Sequence, residues 1–201
     1  MRSAASNGSS SYAANSQIYL RAIGDLEARP LTRAGASLNF GPQQLVFSRD
    51  GRSISYIEFA QDQAFLLENG KTGIKRIEVT GGAPVTVAAD VASDVVLEWR
   101  GDSIFFSTPP VGGPGSIMRV AASGAQPERI IQLERGEQAA RPQVLDDGRV
   151  LFAVGPSRGT APIDWSAGRI VVQRPGEKTR TTIVEGGTDP RYLSSGHLIY
   201  Q

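Results

Sequence analysis

Apolar residues recur along this chain in short runs, each closed by a glycine-containing turn and followed by a second run. Gly51, Gly101, Gly148 and Gly196 each stand between two such runs, at separations of 50, 47 and 48 residues. Four residues before them come Phe47, Leu97, Val144 and Tyr192, and six before come Leu45, Val95, Pro142 and Pro190, all apolar. Seven before come Gln44, Asp94, Arg141 and Asp189, all polar. Side chains alternate faces along a strand, so the positions four and six before the glycine share one face. A period close to 48 residues lies in the range of four-stranded propeller blades.

The runs after each glycine are Ile54 to Phe59, Ile104 to Phe106, Val150 to Val154 and Leu198 to Tyr200. Continuous β-prone runs such as Val150-Leu151-Phe152-Ala153-Val154 suit strands covered on both faces. Third segments follow at Ile74 to Val79, Ile117 to Val120 and Ile170 to Gln173. More polar fourth segments lie at Pro84 to Ala88, Glu128 to Leu133 and Thr179 to Val184. Polar alternation in the fourth segment fits an outermost strand with one wet face. Each unit therefore reads as strands A, B, C and D.

This pattern predicts an all-β fold, a β-propeller of four-stranded antiparallel blades with about four blade equivalents. Residues 17–33 read as strands C and D of a half blade. Residues 35–90, 91–138 and 139–187 read as whole blades, and 188–201 as a second half blade with strands A and B. The two halves are complementary and could close a ring by strand exchange. The uncovered faces of an open arc favour the alternative, a partial ring belonging to a longer protein. Residues 1–16 lack the apolar core of a signal peptide, and their Ser, Ala, Asn and Gly content predicts a flexible segment.

Composition narrows the function classes. Lys plus Arg is 21 against 20 for Asp plus Glu, and a nucleic-acid binder would carry a basic excess. Without cysteine there is no disulfide, thiolate metal site or cysteine nucleophile. No apolar stretch approaches the ~20 residues that cross a bilayer as a helix.

Phe47-Ser48-Arg49-Asp50-Gly51 resembles the Phe-Ser-Pro-Asp-Gly turn of TolB-like propeller repeats, with Arg49 in place of the proline. Leu145-Asp146-Asp147-Gly148 and Leu193-Ser194-Ser195-Gly196 are weaker copies. Gly81-Gly82-Ala83-Pro84 is similar to the turn before strand D in that family. The resemblance covers about Gln17 to Gln201. It is nearest to the propellers that follow the kinase domain and membrane anchor of some bacterial serine/threonine kinases. It implies a binding or sensing role outside the cytoplasm, with blades beyond those present here.

Catalytic signatures are weak. Gly155-Pro156-Ser157-Arg158-Gly159 matches a nucleophile elbow, with Asp189 and His197 following in order. An elbow must lead into a helix, and Thr160 to Trp165 has no helical pattern, so the segment reads as a B–C loop. The single histidine, His197, cannot supply a histidine-rich metal site. Asp146-Asp147 reads as turn chemistry, and Gly112-Gly113-Pro114-Gly115 lacks the lysine of a phosphate loop. Trp99 reads as core, and Trp165 as a loop residue packed on its own blade.

No catalytic residue, cofactor or metal is expected. If strand A is innermost, Gln44, Asp94, Arg141 and Asp189 ring one end of the central channel, and Val46, Val96, Gln143 and Arg191 point into it. The binding residues expected at this mouth are Gln44, Asp94, Arg141, Gln143, Asp189 and Arg191, with a protein or small molecule as ligand. The alternative is the propeller of a prolyl-oligopeptidase-like hydrolase whose catalytic domain lies outside this chain. A propeller lactonase, needing acidic residues on a channel metal, is a third reading.

Overall fold

A computed structural model describes residues 3–6, 9–14, 17–32, 43–59, 72–91, 96–110, 113–157 and 164–201. Every sheet in it is antiparallel and follows chain order. The first holds β1 (Ser3–Ser6), β2 (Ser9–Ala14), β3 (Gln17–Ala22) and β4 (Arg29–Pro30). The second holds β5 (Gln43–Phe47), β6 (Ser53–Phe59), β7 (Thr72–Glu78) and β8 (Val85–Val91). The third runs β9 (Leu97–Arg100), β10 (Ser103–Thr108), β11 (Ser116–Ala121) and β12 (Glu128–Gln132). The fourth runs β13 (Glu137–Val144), β14 (Val150–Pro156), β15 (Arg169–Gln173) and β16 (Arg180–Glu185). A hairpin of β17 (Arg191–Tyr192) and β18 (Leu198–Ile199) follows. The A-B-C-D reading thus holds for the units built on Gly51, Gly101 and Gly148.

The chain divides into two compact units. One comprises Met1–Ile104 and Val120–Gln126, the other Phe105–Arg119 and Pro127–Gln201. In the first, Ile18 and Leu20 of β3, with Leu31 just after β4, pack on Phe47, Ile54, Tyr56 and Ile77 of the second sheet. In the second, Ile117, Ile131 and Leu133 pack on Ala139, Val150, Phe152, Val154 and Val171. Leu198 joins a smaller cluster with Leu151, Ile170 and Val172. Each core is therefore two sheets face to face. This explains the continuous apolar runs: β14 is buried from Val150 to Gly155 because both of its faces are covered. Burial also pushes the Tyr56 hydroxyl well above its ordinary pKa, with Glu58 adding to the effect.

The N-terminal segment departs from expectation. Ser3–Ser6 and Ser9–Ala14 are strands rather than a flexible lead, and β2 pairs with β3 from Ser9↔Ala22 to Ala14↔Gln17. Pairing satisfies the backbone whatever the side chains, and the Tyr12 ring stacks on Tyr19 at 5.4 Å. The expected half blade at 17–33 is consequently part of a four-stranded sheet. Strand exchange with the C-terminal half is excluded, because the edge of β3 that it would need already carries β2.

Each A–B turn places its glycine in the left-handed region, with φ of 71° at Gly51, 56° at Gly101, 80° at Gly148 and 85° at Gly196. That requirement is why glycine recurs at this turn. The Asp50 carboxylate accepts from Ser48 Oγ at 2.6 Å and from the Arg52 N–H at 3.0 Å, which holds its pKa below the usual carboxylate range. Asp147 is lowered in the same sense, first by the Arg149 N–H at 3.0 Å. Asp147 is therefore a turn residue, as the sequence indicates.

Candidate functional site

Strand A of three units carries the same irregularity. Between Gln43 and Val46, β5 has one more residue than β6 opposite it, and β13 does the same between Ala140 and Gln143. Thr188 and Gln201 exchange backbone hydrogen bonds at 2.7 and 2.9 Å while Arg191 pairs with Ile199, so one extra residue also precedes β17. These are β-bulges, which bend the strand and re-aim the side chains they carry.

The first residue of each bulge has positive φ: 55° at Gln44, 52° at Arg141 and 52° at Asp189. None is glycine, and a non-glycine residue there costs about 1–2 kcal/mol. All three are positions singled out in the sequence. Their polarity follows from the geometry, since a bulged residue leaves the ladder and its side chain turns out of the sheet. Asp94, the fourth equivalent, lies outside the described residues. Substituting Gln44 by glycine removes the steric cost, partly offset by greater chain entropy in the unfolded state. The variant should gain about 0.5–1 kcal/mol by urea denaturation.

Two of the bulges touch. Arg141 Nε stands 2.7 Å from Asp189 Oδ1, and each side chain is about one-third exposed (34% and 33%). The pair therefore remains open to an incoming ligand. Gln143 joins the same strands differently. Its Nε2 donates to Tyr192 O at 3.0 Å and its Oε1 accepts from Tyr192 N at 2.7 Å. This primary amide stands in for a backbone rung between β13 and β17, so Gln143 positions β17. Arg191, on β17, is half-buried with its Nη1 enclosed.

The other candidates separate from this cluster. Ser157 donates its backbone N–H to Gly136 O at 2.7 Å, while Arg158 and Gly159 lie outside the described residues. The next described element is a 3-10 turn over Trp165–Ala167, too short to be the helix of an elbow. His197 Nδ1 lies 3.0 Å from Ser195 Oγ in an exposed A–B turn. Trp165 is half-buried over Gly168, where an added Cβ would come within 3.3 Å of the indole. Gly112 lies outside the described residues. Among the described residues, no group of three or more His, Asp or Glu could hold a metal.

Trp99 is a correction. It is only partly buried, donates Nε1–H to Gly101 O at 3.1 Å, and lines an open cleft of about 580 Å³ with Arg49, Asp50, Arg76 and Asp102. Its strand position suggested core, but it stands at the A–B turn where covering layers run out.

Solved structures share this fold. An oligogalacturonate lyase in complex with manganese superposes with a TM-score of 0.67 at 11% identity, over 94% of this chain and 54% of that one. TolB from Acinetobacter baumannii gives 0.65 at 18% identity, over 94% and 44%. The fold is that of the β-propeller. A prolyl endopeptidase gives 0.66 at 15% identity, over 96% of this chain and 31% of its own. No protein-family model matches the chain, and no curated protein sequence does. At these identities the likeness is one of fold, and the chain spans about half the length of the lyase and of TolB. The TolB likeness expected from the Phe47–Gly51 turn is thus present at the level of fold.

Proposed function

We propose that this chain is a non-catalytic β-propeller module that binds a protein or small ligand, as the binding or sensing part of a larger bacterial protein. The observation that carries the reading is the strained bulge repeated at Gln44, Arg141 and Asp189, two of which meet as a partly exposed ion pair. Backbone strain persists only where surrounding structure enforces it, and it concentrates at binding and catalytic sites. Among the described residues no catalytic constellation accompanies it, so binding is the better account. Arg141, Asp189 and Arg191 make the contacts. Gln143 holds β17 beside them. A mixed-charge strip of this kind suits a ligand with both polar signs, such as a peptide segment. The kinase resemblance supports a location outside the cytoplasm.

The test is ligand capture. Replacing Arg141, Asp189 and Arg191 together by alanine should abolish partner capture in a pull-down, while the circular dichroism spectrum and melting transition persist. Undiminished capture by the folded triple variant would refute the reading. The prolyl endopeptidase likeness favours a second reading, the propeller of a prolyl-oligopeptidase-like hydrolase. An α/β-hydrolase pattern in the complete reading frame would establish it.

A further inference from the structure

The open cleft beside Trp99 stands apart from the bulges. Gln44 opens β5, whereas Ser48, Arg49 and Asp50 of the cleft follow its other end. The A–B turns of the second and third sheets line it, together with Arg76 of β7 and the C–D turn of the third sheet. All of these residues belong to the first compact unit. The volume, about 580 Å³, falls in the ~300–1,000 Å³ range of small-molecule sites. Backbone bonds fix the walls. Gly51 N–H donates to Ser48 O at 2.9 Å, closing a β-turn whose second residue is Arg49. Ala122 N–H donates to Asp102 O at 2.8 Å, which ties the two turns of the third sheet together. Trp99 Nε1–H donates to Gly101 O at 3.1 Å. That bond orients the indole and uses its one donor, so the ring offers a ligand apolar carbon surface.

The charges around this ring are not equivalent. Asp50 is committed to its own turn, its Oδ1 accepting from Ser48 Oγ and from the Arg52 N–H. Ser48, Asp50 and Gly51 supply what that turn requires, so the exposed Arg49 side chain is not needed to hold it. Arg76 is half-buried, with its Nη2 3.8 Å from Glu78 Oε1. Glu78 already accepts from Ser53 Oγ at 2.9 Å. A guanidinium has five N–H donors, more than so long a contact takes. Two guanidiniums and an oriented indole therefore line one cleft, and the exposed Asp102 adds an acceptor.

From this we infer that the cleft is a second binding site, for a small organic anion that carries a flat ring. The ring of the ligand covers the Trp99 indole, where aromatic surfaces stack whatever their substituents. Its carboxylate or phosphate takes N–H groups of Arg49 and Arg76, a charge-assisted pairing that the planar guanidinium suits. A hydroxyl or amine of the ligand donates to Asp102. The site is independent of the bulges and of whatever they bind.

Tryptophan fluorescence of the chain in a Trp165→Phe background reports on Trp99, since the sequence has two tryptophans. The probes are AMP and benzoate, ring-bearing anions of the phosphate and carboxylate kinds. Each is compared with its uncharged counterpart, adenosine or benzamide. Saturable quenching by AMP or benzoate is expected, about ten-fold tighter than by the uncharged counterpart. The anion that saturates identifies the acidic group the cleft takes. Arg49→Gln and Arg76→Gln together should weaken binding about ten-fold while the melting transition persists. Arg49→Gln alone, at an exposed turn position, should show part of that loss. The combined alanine variant at Arg141, Asp189 and Arg191 should bind as the parent does. Saturation by neither anion, equal binding of the uncharged counterparts, or parental binding by the glutamine variants would overturn the inference. Loss of binding in the Arg141, Asp189 and Arg191 variant would also overturn it, by placing the ligand at the bulges.

Discussion

Truncating Phe152 to alanine is expected to cost about 4 kcal/mol of stability, the upper part of the range for large-to-small changes in a packed core. Phe152 is fully buried at the centre of β14. Its ring sits in a cluster drawn from two sheets, with Ile117, Ile131 and Leu133 on one side and Val150, Val154 and Val171 on the other. The strand carrying it is bonded on both edges, so the backbone cannot shift far to fill the space. Urea denaturation of the variant and the parent measures the effect. Phe152→Leu, which keeps most of the volume, should lose less than half as much. Equal losses would mean that the aromatic shape, rather than the cavity, sets the cost.

The second large effect is expected at Glu137, through charge rather than volume. Its carboxylate accepts from Arg180 Nη1 at 2.8 Å, from Arg169 Nη2 at 3.2 Å and from the Glu134 N–H at 3.0 Å. The Glu137 and Arg180 side chains are only 14% and 12% exposed. Replacing Glu137 by alanine strands the Arg180 guanidinium where water reaches it poorly, and losing one partner of an enclosed pair costs several kcal/mol. Glu134 stands 3.9 Å from Arg180 and is 80% exposed, so it can turn inward and recover part of this. The expected net loss is about 2 kcal/mol. Converting both Glu137 and Arg180 to methionine should cost less than Glu137→Ala alone, because no enclosed charge is then left unpaired. A double variant weaker than the single one would show that the network contributes beyond charge matching.

The two cases divide along the line between what is readable in sequence and what is not. Phe152 lies in a continuous apolar run after Gly148, and such a run announces burial on both faces. Glu137 carries no such mark: it stands at the start of a strand in a polar stretch. Only folding brings Arg169 and Arg180, 32 and 43 residues later, onto its carboxylate. Trp99 shows the converse, an aromatic residue in a strand whose position at a turn leaves it lining a cleft.

The candidate site was legible in part. Counting back from the turn glycines isolated Gln44, Arg141 and Asp189 as equivalent polar positions, because the turn geometry fixes where strand A begins relative to its glycine. The bulge itself was not legible. Strict alternation is assumed in any strand reading, and an extra residue changes hydrogen-bond register without changing residue type. The Arg141–Asp189 pair and the Gln143 amide on Tyr192 were equally hidden, since both join strands almost fifty residues apart.

By itself, then, the sequence determined the blade order, the strand types and the turns. These depend on local rules: period-two faces, continuous runs where both faces are covered, and glycine where φ must be positive. It did not determine the first two strands, where serine and alanine carry almost no β signal and pairing with β3 supplies the stabilisation. Nor did it determine which polar residues touch. Tertiary structure decided those features because they are set by backbone hydrogen bonding and by contacts between neighbouring sheets, which the local order of residues does not encode.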